Sequence, residues 1–199
     1  MRNFLVLANN VRTDANWTLN SLPNAGRMDL LARCVNSAFW LSDTLRKDVV
    51  FYTILGGEPH APVCVKFVGS ELRSMTPDER NIASSFKELL SLPLSHEWKT
   101  NKRGGYICKK GFEEILKELK SQIKPENTYW LTAGGAPLES FEGKEFDEAL
   151  FILGDAIGPS KEQKKELRAY NKLSLGSKEY LASHCIVVIN YLLDGSETQ

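Results

Sequence analysis

The sequence has no net charge, because 25 Lys and Arg offset 25 Asp and Glu over 199 residues. That balance excludes the uniform positive field of a histone-like binder of nucleic acid. No apolar run approaches membrane-spanning length. The start, Phe4–Ala8, is too short for the core of a secretory signal and reads as a first buried strand. Histidine is scarce, and the four cysteines, Cys34, Cys64, Cys108 and Cys185, lie far apart with no C-x-x-C or C-x-x-H pair. A zinc site is therefore not expected, and the thiols read as buried groups of a reducing compartment, the cytosol. Glycine-rich nucleotide signatures are also missing: Gly154–Gly158 is G-x-x-x-G, and G-x-x-x-x-G-K-[ST] does not occur. A dinucleotide-binding βαβ fingerprint and a P-loop are excluded.

What is present suits one folded domain: 42% hydrophobic, 25% charged and 10% aromatic residues. The neutral average hides a split. Residues 1–124 hold 18 basic against 13 acidic side chains, net +5, and residues 125–199 hold 7 against 12, net −5. A polyanion would meet the first part before the second.

Met28, Leu31, Val35, Ala38, Leu41 and Leu45 recur at helical spacing after Gly26, which predicts a long helix ending near Arg46. Asp48–Leu55 and Val63–Val68 are β-rich and flank Gly56-Gly57-Glu58-Pro59, a hairpin or two neighbouring strands. Thr76-Pro77-Asp78-Glu79 combines an N-cap, a first-turn proline and a capping-box glutamate, predicting a helix from Pro77 to about Leu90. Residues 91–105 read as an exposed loop, either a nucleic-acid contact or a solvated connection, and Phe112–Ile123 as an amphipathic helix. The rest predicts strands at Thr128–Leu131, Leu150–Leu153 and Lys172–Leu175, with helices at Ser160–Tyr170 and Ser177–Leu193. Such alternation implies an α/β protein with a parallel sheet.

Ligands of open parallel sheets sit beyond the carboxyl ends of the strands. Three stretches qualify, Leu131–Gly135, Leu153–Gly158 and Leu173–Lys178, each with glycine that lets a flat ring approach the backbone, or else ordinary turns. His184 and Cys185 are adjacent on a predicted helix, where side chains diverge by about 100 degrees, so they do not form a nucleophile–base pair. His60 and His96 read as surface residues. Arg27, Asp29 and Arg33 interrupt an apolar helix and must pair with one another or face a ligand, with pairing favoured for Asp29.

The blocks Gly26–Val35 (GRMDLLARCV), Arg46–Tyr52 (RKDVVFY), Lys66–Leu72 (KFVGSEL), Pro77–Ala83 (PDERNIA), Phe151–Gly158 (FILGDAIG), Leu173-Ser174-Leu175 and Ser183-His184-Cys185 resemble the archaeal tRNA pseudouridine-54 N1-methyltransferase family. The resemblance spans nearly the whole chain. It departs at Gly176-Ser177, where family members carry Ser-Pro, and over residues 91–111. It implies a SPOUT-type parallel-sheet fold with a C-terminal trefoil knot, as a single domain over residues 1–199. Residues 1–124 would form its basic RNA-facing part and residues 125–199 its knotted cofactor-binding part. It also implies a homodimer that takes S-adenosyl-L-methionine and acts on tRNA, with no metal and no membrane.

By the same resemblance Leu131, Gly154, Leu173, Ser174, Leu175 and Gly176 line the cofactor pocket and Cys185 closes it. A bulky residue in place of Gly154 should then remove cofactor binding and leave the fold. Asp155, just past a strand end, is either the base that takes the N1 proton, a group that orients the substrate ring, or a cap on its own loop. Arg27, Arg33, Lys66, Arg73 and Arg80 are the candidate phosphate contacts. A ribosomal-RNA pseudouridine is the alternative substrate, and a non-catalytic RNA-binding protein that keeps the fold is the alternative class.

Overall fold

The computed structural model describes residues 1–141, 146 and 148–196. Its strands are β1 (Arg2–Ala8), β2 (Val49–Leu55), β3 (Val63–Val68), β4 (Lys99–Thr100), β5 (Gly105–Cys108), β6 (Thr128–Pro137), β7 (Leu150–Gly154) and β8 (Asn171–Ser174). The helices are α1 (Met28–Phe39), α2 (Glu79–Leu90), α3 (Phe112–Leu119), α4 (Lys161–Leu167) and α5 (Ala182–Ser196). One sheet joins all eight strands in the order β4-β5-β3-β2-β1-β7-β6-β8, so the basic and acidic parts of the chain share it.

Strands β2, β1, β7, β6 and β8 run parallel, while β3, β5 and β4 add an antiparallel flank. The parallel-sheet expectation thus holds for one side only. The β2–β3 connection is too short for the dozen or more residues of a parallel crossover, and the same limit applies between β4 and β5. Both faces are covered, which is why β1 is buried throughout. Phe4, Val6 and Ala8 pack into a core with α1, α2 and α5, and Leu5 and Leu7 into a second core with α3 and α4.

Several expected boundaries move. Helix α1 stops at Phe39, because Trp40 bridges to Leu45 and the Leu41 N–H donates to the Thr44 carbonyl at 3.0 Å, leaving Leu41 exposed. The cap of α2 is Asp78, which accepts the Asn81 N–H at 2.9 Å, while the Thr76 hydroxyl donates to Asp78 at 2.6 Å. Residues 91–105 contain β4 and the start of β5, with Gly104 at φ +84° against the Glu71 backbone. Helices α3 and α4 end earlier than predicted, and α5 begins five residues later, at Ala182.

Helix α5 is fastened near its C-terminal end. Asp194 accepts from Arg46 at 2.7 and 2.5 Å and from the buried Arg2 at 2.6 Å. The Arg46 hydrogen bond, aided by that of Arg2 and opposed by burial, holds the Asp194 carboxyl below its usual range. A carboxyl lowered in the folded state stabilises the fold above its unfolded pKa, and that stabilisation is lost as pH falls below about 4. Asp194→Asn is expected to cost about 1–3 kcal/mol at neutral pH, a value discounted for the partial exposure of Asp194. It should also flatten the acid limb of a urea-unfolding series between pH 6 and 3. An unchanged acid limb would show that the cluster does not fasten α5.

Candidate functional site

The carboxyl ends of β7, β6 and β8 lie on one edge of the sheet, and the segments that follow them line a cavity of about 320 Å³. That size is in the range of small-molecule sites. The cavity exists because the β6–β8 ladder is interrupted: Leu131 and Ala136 both register with Leu173, so residues 132–135 leave the ladder. The expected loop at Leu131–Gly135 is therefore an excursion within a strand. Gly135 allows the strand to rejoin, since a Cβ there would lie 2.5 Å from the Leu173 carbonyl carbon. Across the cavity, Gly176 sits at φ +110°, and the Ser174 hydroxyl closes its turn by accepting the Gly176 N–H at 3.2 Å and donating to its carbonyl at 3.1 Å.

Leu131, Gly154, Leu173, Ser174, Leu175, Gly176 and Cys185 all line this one cavity. The lining joins apolar side chains to backbone at glycine. A Cβ added at Gly158 or Gly176 meets no protein atom within 4 Å, so both glycines border open space that suits a flat ring. Gly154 differs. Its Cβ would lie 2.8 Å from Gly158 Cα, so a bulky residue at 154 breaks the turn itself, contrary to the expectation that it would act on the ligand alone. Sequence reasoning missed Pro159, Glu179, Tyr180 and Ala182 on the lining. The exposed apolar Tyr180 in a loop segment was the available signal.

Asp155 has both oxygens engaged by backbone: Oδ2 accepts the Asn9 N–H at 3.0 Å, and Oδ1 accepts those of Ile157 at 2.9 Å and Gly158 at 3.2 Å. Of the roles open to it from sequence, this is the geometry of a loop cap. Asn9 and Gln163 extend the frame with paired amide bonds at 3.1 and 3.0 Å. Asp155→Ala is expected to speed hydrogen exchange at the Ile157 and Gly158 amides about thirtyfold, equivalent to about 2 kcal/mol of local stabilisation. Unaltered exchange at those amides would refute the capping role.

Cys185 is half-buried with Sγ 3.9 Å from the Tyr180 carbonyl oxygen, and burial pushes its thiol pKa up. His184 is exposed, so the two side chains diverge as expected and Cys185 acts as a neutral wall of the cavity. Among the described residues no group of three or more His, Cys, Asp and Glu is arranged to hold a metal, and no helix is long and apolar enough to cross a membrane.

Of the five basic candidates only Arg27 and Arg33 are brought together, on Asp29, and none of the five lines the cavity. Arg27 donates to Asp29 at 3.0 and 3.1 Å, and Arg33 donates to Asp29 at 2.9 Å and to Glu79 at 3.4 Å. Burial opposes ionisation of Asp29, but the hydrogen bonds of the two arginines hold its carboxyl below the usual range. Pairing is thus what the α1 charges do. Lys66 sits 4.5 Å from the Trp98 ring and 4.7 Å from that of Tyr106, and burial pushes its ammonium pKa down. Arg73 and Arg80 are exposed.

Comparison with known proteins gives a consistent result. The family model described as an SAM-dependent RNA methyltransferase matches residues 1–198. A tRNA (pseudouridine(54)-N(1))-methyltransferase of Methanococcus maripaludis is 43% identical over 98% of both chains. The protein of that name from Methanocaldococcus jannaschii is 40% identical over 98% of this chain and 97% of its own, and that of Thermococcus kodakarensis 35% over 98% and 100%. Among solved structures, Archaeoglobus fulgidus Nep1 bound to S-adenosylhomocysteine superposes with a TM-score of 0.61 at 10% identity, covering 99% of both chains, which is a likeness of fold. With a cavity at the carboxyl edge of a mixed sheet and a match over almost its entire length, the chain belongs to the SAM-dependent RNA methyltransferase family.

Proposed function

We propose that this protein transfers a methyl group from S-adenosyl-L-methionine to N1 of a pseudouridine in RNA, the T-loop pseudouridine 54 of tRNA being its target. The observation that carries this reading is the convergence of three turns, from strands separated in sequence, on one cavity at the carboxyl edge of the sheet. The cofactor would lie against the backbone of Leu131, Gly154 and Leu173–Gly176, with Cys185 as the closing wall. When bound it supplies the methyl group on an electrophilic sulfonium. The chain's own contribution is then to position the ring and exclude water. Asp155 contributes by fixing the 155–158 turn, because its two oxygens are already committed to backbone N–H groups.

Two finer features belong to the same proposal. The C-terminal chain would form a trefoil knot; in support, β6 and β8 pair although β7 intervenes in sequence, and Gly135 passes against the Leu173 backbone. The active form would be a homodimer. In support, α5 carries an uncovered apolar face, with Val187 51% and Tyr191 74% exposed beside Leu192, and Tyr180 and Leu181 continue it to the cavity.

The test is transfer of labelled methyl to tRNA transcripts with pseudouridine or uridine at position 54, beside a pseudouridine-containing ribosomal RNA fragment. Label confined to the pseudouridine-54 tRNA is expected. Preference for the ribosomal fragment would move the substrate, and RNA binding without transfer would place the chain among non-catalytic relatives.

A further inference from the structure

The basic excess of the first 124 residues has a single origin. Residues 1–98 hold 10 basic and 10 acidic side chains, whereas residues 99–124 hold 8 basic and 3 acidic, net +5. Three of those eight cations have partners in the fold: Lys109 donates to the Ala61 carbonyl at 2.8 Å and to that of Pro62 at 3.3 Å, Lys110 pairs with Glu118, and Arg103 lies 3.7 Å from Glu88. Lys117, Lys120 and Lys124 are exposed and have no acidic partner among the described residues. Lys117 lies on the last turn of α3 with Lys120 three residues on at its C-terminal end, and Lys124 follows at the close of the next turn. Glu113, Glu114 and Glu126 are the exposed acids that flank them, Glu114 accepting the Gly111 N–H at 2.9 Å.

The stripe continues across the chain. Lys120 Nζ lies 5.8 Å from the half-buried Tyr170 ring, and the exposed Lys172 lies 5.8 Å from the ring of Trp130, its register partner. Asn171 ties this end of β8 to the Glu126 carbonyl at 2.8 Å, which keeps the two segments adjacent. Tyr170 and Trp130 pack on the α3–α4 side of the sheet, away from the apolar face of α5. Trp130 and Lys172 immediately precede Leu131 and Leu173 of the cavity wall on neighbouring strands.

Neighbouring like charges oppose one another in the free protein, and a polyanion would relieve that repulsion. Flat rings beneath the ammonium groups hold two of these cations at the surface. Resting on the RNA-methyltransferase reading, we infer that Lys117, Lys120, Lys124 and Lys172, backed by Tyr170 and Trp130, form a track for the RNA phosphate backbone, separate from the methyl-transfer cavity. RNA held there and a second copy held on α5 occupy opposite faces of the sheet, so neither displaces the other.

The experiment compares the full-length protein with K117Q/K120Q/K124Q and with K172Q, using a tRNA transcript at several salt concentrations. For the triple variant, affinity at about 0.15 M salt should fall tenfold or more. Its slope of log K against log salt should become shallower by about two to three. K172Q should lose about one unit of slope or less. The KM for RNA should rise while kcat at saturating RNA and the affinity for S-adenosylmethionine stay unchanged. A folded triple variant with the wild-type slope and KM would overturn the track and leave the methyltransferase reading intact. Wild-type protein that transfers no methyl yet shows the salt-slope difference would sink that reading and keep the track.

Discussion

Cys185→Trp is expected to reduce affinity for S-adenosylmethionine by at least a hundredfold, equivalent to about 2.7 kcal/mol, with little change in Tm. The thiol lines the cavity from α5, one of the longest and best-anchored elements, so an indole at that position projects from a support that does not yield. With about 320 Å³ enclosed, a ring of that size competes directly with an adenosyl group. Cys185→Ser keeps the volume and should bind within a few-fold of wild type. That control separates filling from chemistry, since the raised thiol pKa already argues against a reactive thiolate. Calorimetric titration gives both numbers, and wild-type affinity in the Trp variant would mean that the ligand does not occupy this cavity.

A charge on the outer face of α5 should have the second largest effect. Tyr191 is 74% exposed and Val187 51% exposed, a degree of apolar exposure that a stable single chain has little reason to keep. Aromatic anchors at the centre of an interface typically contribute about 2–4 kcal/mol, so Tyr191→Glu should weaken self-association by about thirtyfold or more. Sedimentation equilibrium should report twice 22.4 kDa for wild type and 22.4 kDa for the variant at micromolar concentration. Both should keep the same circular dichroism, because the replaced side chain is not part of either core. Wild-type protein that sediments as a monomer at tens of micromolar would remove the dimer from the account.

The elements legible in the sequence were those whose pattern is local. Helix α2 announced itself through Thr76-Pro77-Asp78-Glu79, although Asp78 rather than Thr76 is the cap, and β1 through an unbroken apolar run. The three turns of the cavity were legible for a related reason, since glycine clustered just past strands marks places where backbone can approach closely. The short β4 carried no pattern at all, because two exposed residues, Lys99 and Thr100, form a strand only by pairing with β5. The interruption of β6 depends likewise on Leu173, some forty residues further on.

Arginine and lysine roles were the least legible. Arg33 is engaged by Glu79 and Lys66 is enclosed by Trp98 and Tyr106, partners that no local reading supplies. The cations left without partners among the described residues include three that follow α3 at helical spacing, a pattern visible in sequence whose meaning depends on which acids lie nearby. Asp155 shows the same limit. A carboxylate beyond a strand end leaves base, orienting group and loop cap all open, and the capping bonds from the N–H groups of Asn9, Ile157 and Gly158 are visible only in the fold.

The claim at the centre of the account is that this cavity sets a methyl donor against N1 of pseudouridine. Mass spectrometry of nucleosides from tRNA incubated with the protein and S-adenosylmethionine tests it most directly. N1-methylpseudouridine should accumulate in step with loss of pseudouridine, and should be absent when Cys185→Trp is used. A methyl group found on a ribose or on another base, or a full yield from the Cys185→Trp protein, would contradict it.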